Sequence, residues 1–333
     1  MTNDVAVIGA GSWGTALSLV LADNGHKVRI WGHRASTIDE INSYHTNRSF
    51  LPGLTLPSSV RGYTSLAEAI DGVTIIVLVV PSSAMADTCR RLSEVLTRPV
   101  TLVSASKGIE PVSLLRMSQI IEKNTPDQFR NGIVVLSGPS HAEEVSLRHP
   151  TTVVAASERI TLAKTVQDLF INEYFRVYTN PDVVGVELGG ALKNIIAFAA
   201  GVLDGLGAGD NAKAALITRG LAEIARLGVR LGSNPLTFLG LAGVGDLVVT
   251  CTSRHSRNWQ AGNLIGQGYP VNEVPSRMNM VVEGIPTTKA AFQLARQAEV
   301  EMPITEALYQ VLFEGGNPRE AFEDLMRRER AHE

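Results

Sequence analysis

Residues 5–14 read Val5-Ala6-Val7-Ile8-Gly9-Ala10-Gly11-Ser12-Trp13-Gly14, and the fold turns on them. An apolar, β-prone run enters a GxGxxG directly, and residues 15–24 then read as a helix. In a chain with 30 glycines a GxGxxG alone is weak. Between a strand and a helix it has a physical purpose. Gly9 admits a tight turn, Gly11 lets backbone approach a pyrophosphate, and Gly14 lets the helix lie close on the strand. The helix N-terminus offers unpaired N–H groups and partial positive charge to phosphates. The alternative is a strand–helix turn without a ligand. The βαβ context favours a dinucleotide site.

Outward from this turn, further apolar runs occupy residues 28–31, 74–80, 100–104, 134–136 and 152–155, with helix-compatible stretches at 82–96 and 113–122. Short, continuously apolar strands between helices signal a parallel sheet covered on both faces. The expected class is α/β, with an N-terminal doubly wound Rossmann domain. After Asn180-Pro181 the texture changes. Residues 183–206, 212–231, 287–298 and 304–313 are rich in Ala, Leu, Ile and Gly. Ala214, Ile217, Leu221, Ile224, Ala225 and Leu227 keep a helical spacing. The expected division is 1–180 for dinucleotide binding and 181–333 for an all-helical substrate and catalytic domain. The charged tail 327–333 is expected to fray.

Composition excludes several classes. A net charge of −3 gives no pull toward nucleic acid, and 5% aromatics are too few for a base-stacking platform. Cys89 and Cys251 build neither a disulfide framework nor a zinc pattern, and no histidine spacing suggests a metal. Apolar runs at 73–80 and 195–203 are too short for a membrane span. The opening MTNDVAVIG carries an acid where an export signal carries basic residues. A soluble globular protein of a reducing cytosol, with no nucleic acid and no membrane span, is expected.

Five polar islands stand out. The second strand ends Ile30-Trp31-Gly32-His33-Arg34, without the acid that an NAD site places on the ribose. A guanidinium there suits a 2′-phosphate and stacks on adenine, so NADP(H) is favoured. If His33 and Arg34 are solvated loop residues instead, NAD(H) remains possible. In VELGGALKNIIAFAAGVLDGLGAGD (186–210), Lys193 and Asn194 interrupt an apolar stretch. A lysine so placed snorkels, pairs or loses its charge. Gly189 and Gly190 each weaken a helix by about 1 kcal/mol, which makes sense where backbone and ligand come close. The alternative is a lysine at a helix end, facing solvent. In LAGVGDLVVTCTSRHSRNW (241–259), Asp246 follows a glycine turn, and Ser253, Arg254, His255, Ser256, Arg257 and Asn258 form a polar cluster. It reads as an anion site or as an exposed basic loop, with Trp259 arguing for an anchored segment. Residues 104–110 and 137–142 each follow a strand, so Lys107, Gly138 and Ser140 fall at the sheet edge where ligands bind, or in plain turns.

Taken together, the chain resembles the soluble, bacterial-type NAD(P)-dependent glycerol-3-phosphate dehydrogenases. The likeness is carried by GAGSWGTAL (9–17), SKGIE (106–110), SGPSHAEEV (137–145), ELGGALKNIIAFAAG (187–201), GDNAKAALITRGLAE (209–223), GLAGVGDLVVTCTSRHSRN (240–258) and VVEGIPT (281–287), and MPITEALYQVLFEG (302–315) continues it. The resemblance implies that Lys193 is the catalytic lysine. It implies that Lys107 touches substrate and cofactor, and that Asp246 is held near Lys193. Ser256, Arg257 and Asn258 match the substrate and phosphate pocket, with Arg257 also near the cofactor. Gly138 and Ser140 match substrate contacts. Gly9, Gly11, Ser12, Trp13, Gly14, His33, Arg34, Ala142, Val281 and Glu283 match cofactor positions. His141 departs from the aromatic that the family usually has there. The implied reaction interconverts dihydroxyacetone phosphate and sn-glycerol 3-phosphate, supplying the latter for phospholipid synthesis, and the implied assembly is a homodimer. Three other readings are a related two-domain dehydrogenase of a β-hydroxy or keto acid, a sensor of the NADPH/NADP ratio, and a structural or interaction protein with a vestigial cofactor turn. A sensor does not need Lys193, Asp246 or the Arg257-Asn258 pair.

Overall fold

The computed structural model describes residues 3–278 and 281–327, so tail residues 328–333 lie outside the described part. The chain forms two compact units, one of residues 1–107 with 116–186 and one of residues 108–115 with 187–333.

The first unit is an α/β sandwich. Its strands and helices run β1 (Asp4–Ile8), α1 (Ser12–Asp23), β2 (Lys27–Trp31), α2 (Ala35–Tyr44), β3 (Val60–Tyr63), α3 (Leu66–Ile70), β4 (Ile75–Leu78), α4 (Met85–Val95), β5 (Val100–Ser104), α5 (Met117–Asn124), β6 (Arg130–Ser137), α6 (Ala142–Ser146), β7 (Thr151–Ala156), α7 (Ile160–Phe170) and β8 (Phe175–Asn180). The sheet order is β3-β2-β1-β4-β5-β6-β7-β8. The first six strands are parallel in doubly wound order, with the switch point between β1 and β4. β1, β4 and β5 are buried along nearly their whole length, which is why they are continuously apolar in sequence.

One pairing departs from the all-parallel expectation: β6 and β7 are antiparallel. A parallel return needs a crossover as long as the strand. The connection here carries only the five-residue α6, about 8 Å long against roughly 26 Å for the eight residues of β6, so no crossover helix runs back along the sheet. The helix expected at 113–122 begins later, at Met117. Before it, the Glu110 carboxylate accepts the Val112 and Ser113 N–H groups in a turn.

The second unit is helical: α8 (Val183–Leu206), whose last twenty residues belong here, α9 (Asp210–Arg230), α10 (Asp246–Thr252), α11 (Arg257–Gly266), α12 (Val274–Arg277), α13 (Gly284–Gln297), α14 (Pro303–Phe313) and α15 (Pro318–Arg327). Helix α8 is long and apolar enough to cross a membrane by composition, but 83% of its apolar window is buried within the protein.

Glycines set how closely α8 is approached. A Cβ on Gly201 would lie 2.8 Å from the Trp259 carbonyl carbon, and one on Gly262 would lie 2.9 Å from that of Phe198. Gly205 and Gly266 meet in the same way. Helices α8 and α11 therefore cross backbone to backbone. Trp259 reinforces the crossing by donating its indole N–H to Asp204 at 2.6 Å.

Helix α14 opens with Pro303, whose missing N–H costs nothing in a first turn. The next two N–H groups, of Ile304 and Thr305, are accepted by the buried Glu223 of α9. Burial pushes the Glu223 carboxyl up to about 7, against the opposing pull of those donors. Cys89 and Cys251 are also buried, and burial raises both thiols to about 12.

Candidate functional site

In the first unit, the turn after β1 has the geometry its glycines require. Gly9 has φ +127°, and a Cβ there would sit 2.8 Å from the Val79 carbonyl carbon beyond β4. A Cβ on Gly14 would lie 3.0 Å from the Gly9 carbonyl carbon, so α1 rests on the turn itself. Gly11 is different. Its φ is −81°, and a Cβ would meet no atom within 4 Å. Neither packing nor backbone conformation asks for glycine there, which fits a residue reserved for close approach by a ligand. Gly11 caps α1 and, having no side chain, places no capping acceptor of its own over the first turn. These are the features a pyrophosphate needs. Ser12 is buried and Trp13 half-buried at the start of α1. His33 and Arg34 are exposed just past the carboxyl end of β2, and Arg34 caps α2.

The two strand-edge islands of this unit meet. Lys107 Nζ and Ser140 Oγ each donate to the Gly138 carbonyl at 2.9 Å. Gly138 has φ +137°, with Val153 Cα 3.0 Å from where a Cβ would stand. Ala142 is buried at the start of α6.

In the second unit, Lys193 is 6% exposed and Asp246 fully buried. Their side chains form an ion pair, and Lys193 Nζ also donates to Thr250 Oγ1 at 2.7 Å. Thr250 spends its own proton on the Asp246 carbonyl at 2.6 Å, so it meets the lysine as an acceptor. This excludes the solvent-facing alternative for Lys193. The close approach expected at Gly189 is made by the chain's own backbone rather than by a ligand. A Cβ there would lie 3.1 Å from the Ala242 carbonyl carbon. Gly189 and Lys193 are one turn apart on one face of α8. The missing side chain thus lets the Leu241–Gly245 segment settle against α8 and deliver Asp246 to the lysine.

The polar run 253–258 is split. Arg254 and His255 are exposed, whereas Ser256 and Asn258 are buried. Ser256 caps α11 by accepting the Trp259 N–H at 3.2 Å. Asn258 donates to Asn194 Oδ1 at 2.9 Å and accepts the Gly284 N–H at 2.8 Å, tying α11 to α8 and to the start of α13. Arg257 reaches the Val281 carbonyl at 3.5 Å, and Glu283 caps α13.

Two members of these clusters were absent from the sequence reading. Thr250 lies four residues after Asp246 on α10, and that spacing could have revealed it. Asn47 is fully buried and donates to Ala10 and Thr15 beside the glycine turn, a long-range contact with no local signature. Among the described residues, no group of three or more His, Cys, Asp or Glu could hold a metal ion.

Comparison with known proteins gives this geometry a family. Residues 4–163 match the profile of the NAD-dependent glycerol-3-phosphate dehydrogenase N-terminus, and residues 182–323 match that of its C-terminus. A glycerol-3-phosphate dehydrogenase [NAD(P)+] of Bacillus velezensis is 61% identical over 99% of this chain and 95% of its own length. One from Bacillus cereus is 61% identical over 99% and 97%. The crystal structure of glycerol-3-phosphate dehydrogenase from Coxiella burnetii superposes with a TM-score of 0.94 at 38% identity, covering 98% of this chain and 99% of that one. D-mandelate dehydrogenase, at 14% identity and a TM-score of 0.64, shares the fold alone. With both halves matched and the Rossmann turn intact, the chain belongs to the NAD-dependent glycerol-3-phosphate dehydrogenase family.

Proposed function

We propose that the protein interconverts dihydroxyacetone phosphate and sn-glycerol 3-phosphate by hydride transfer with a nicotinamide cofactor, using NADP(H) in preference to NAD(H). The observation that carries this reading is Lys193, a lysine held by Asp246 and Thr250 inside an apolar helix. Solvation does not explain a charge in that place, and proton transfer does.

The bound nicotinamide supplies the hydride or receives it; the chain does the rest. Gly9, Gly11, Ser12, Trp13 and Gly14 would hold the pyrophosphate side of the dinucleotide, and His33 and Arg34 its adenosine end. Lys107, Ala142, Arg257, Val281 and Glu283 complete the cofactor contacts. Lys193 gives a proton to the C2 oxygen as negative charge develops, and takes it back in the oxidation direction. Asp246 and Thr250 hold its Nζ in one place. Lys107 adds positive charge for the oxyanion. Arg257 is the main phosphate ligand, as a guanidinium fork suits it. Asn258 has its carbonyl and one N–H engaged within the protein and contributes its second N–H. The Gly138 carbonyl already takes two donors, so its substrate contact falls to its N–H, beside the Ser140 hydroxyl. Ser256 contributes chiefly by starting α11 next to Arg257.

Within this reading residues 1–180 bind most of the dinucleotide and lend Lys107, Gly138 and Ser140 to the substrate, and residues 181–333 supply the catalytic lysine, the remaining substrate contacts and the cofactor contacts of Arg257, Val281 and Glu283. The working form is a cytoplasmic homodimer that feeds phospholipid synthesis. The test adds dihydroxyacetone phosphate to purified protein with NADPH, then NADH, and follows loss of the reduced nicotinamide. Faster oxidation of NADPH supports the whole proposal. Equal or faster oxidation of NADH removes the role given to His33 and Arg34. Oxidation only with a keto acid overturns the substrate.

A further inference from the structure

Asn47 stands where α2 has ended and the chain turns back toward the glycine-rich turn. His45, at φ +53°, closes the helix, and the Phe50 and Leu51 N–H groups donate to the Asn47 carbonyl at 3.1 and 2.8 Å. The side chain is fully buried. Its Nδ2 donates to the Ala10 carbonyl at 3.0 Å and to Thr15 Oγ1 at 2.8 Å. Ala10 O can only accept, so the orientation of the amide is fixed. The price of this arrangement is Asn47 Oδ1, which is buried without a hydrogen-bond partner. A Leu or Val would fill the space without that cost. What only an amide supplies here is two N–H groups, and one lands on the peptide between Ala10 and Gly11.

A trans peptide points its C=O and N–H in opposite directions. With the Ala10 oxygen pinned inward by Asn47, the Gly11 N–H is turned the other way, on the residue whose flank is open to beyond 4 Å. The second bond, to Thr15, anchors the first turn of α1, and Ser12 Oγ to Phe50 O at 2.9 Å stitches the same two segments again. We propose that Asn47 is a positioning residue for the dinucleotide: it locks the Ala10–Gly11 peptide so that the Gly11 N–H is presented to the pyrophosphate. This rests on the dinucleotide reading of the glycine turn. Without the brace, a peptide flanked by glycine is free to rotate and offers its carbonyl to the phosphates in part of the population.

The experiment measures NADPH affinity by fluorescence titration of the folded protein without substrate, alongside steady-state kinetics. Asn47→Ala raises the Kd and the KM for NADPH ten- to hundredfold. The KM for dihydroxyacetone phosphate and kcat at saturating NADPH stay within twofold of wild type. A purely structural role would instead lower kcat, or the active fraction, with the NADPH Kd of the folded protein unmoved, and that result overturns the proposal. Should Asn47→Ala not fold, Thr15→Val removes one of the two acceptors and raises the Kd three- to tenfold; an unchanged Kd there also overturns it. Wild-type protein that bound no NADPH would overturn the dinucleotide reading and this proposal together. Tight wild-type binding with an unaffected variant would overturn this proposal alone.

Discussion

Replacing Gly262 by alanine tests whether the crossing of α8 and α11 holds the second unit's polar centre together. An ideal Cβ would sit 2.9 Å from the Phe198 carbonyl carbon and 3.0 Å from the Val202 nitrogen, with the Phe198 oxygen nearer still. Comfortable contact begins at about 3.5 Å, so the helices must part by roughly 1 Å at this point. All the nearest atoms are backbone, and none can swing aside. Overpacking of this kind costs about 1–3 kcal/mol. The same separation stretches the Asn258–Asn194 bond from 2.9 Å to beyond hydrogen-bonding range and leaves two buried amides poorly paired, adding about 1–3 kcal/mol. The expected loss is about 2–6 kcal/mol, a large part of a typical domain's stability. Urea unfolding followed by circular dichroism reads it as a fall in midpoint at constant slope. Folded Gly262→Ala should also show weakened phosphate binding, because Arg257 and Asn258 ride on α11. A change below ~0.5 kcal/mol with a wild-type KM for dihydroxyacetone phosphate would refute the reasoning, since that is the scale of an ordinary surface substitution.

The remaining predictions concern charge. Lys193→Ala in a folded protein should lower turnover at least ~10²-fold, measured by NADPH oxidation; near-normal turnover would remove its role as proton donor. Arg257→Ala should act mainly on the KM for dihydroxyacetone phosphate, and an unchanged KM would move the phosphate site elsewhere. Glu223 has its pKa raised by burial from 4.5 to about 7, so the folded protein holds an extra proton across that window and loses stability as pH rises through it. The loss is about 3 kcal/mol, absent below the lower value and complete above the upper. Glu223→Gln should remove that slope from urea midpoints taken between the two values, and a slope equal to wild type would show that another group titrates.

The interior of the sheet could be read from sequence because interior strands are apolar on both faces, as β1, β4 and β5 are. The two edge strands could not. In β8, Phe175 and Val177 are buried while Arg176 and Tyr178 are exposed, and β3 is four residues long with Gly62 within it. A search for continuous apolar runs passes over both. The glycine turn was readable because its chemistry is local: strand, turn and helix are contiguous in the chain. Lys193 was visible as a charge in an apolar stretch, but its buried partner comes from 53 residues away, and resemblance rather than pattern supplied it. Gly189 marks a close approach in the sequence, but helix periodicity says which face is crowded and not by what, and the approaching group is the chain's own backbone. Asn47 carried no signal, since an asparagine after a helix is an ordinary turn residue until its long-range acceptors are known.

The apolar character of α8 has a consequence during biosynthesis. The helix is complete at Leu206, but Leu241–Gly245 and α11, which cover its glycine face, emerge up to some 60 residues later. At ~5–20 residues per second that is roughly 3–12 s on the ribosome. Throughout that interval the glycine face of a segment with the hydropathy of a membrane span is without its own cover. A nascent chain stalled once α8 has cleared the ribosome should therefore bind holdase chaperones, and one extended until α11 has cleared it should release them.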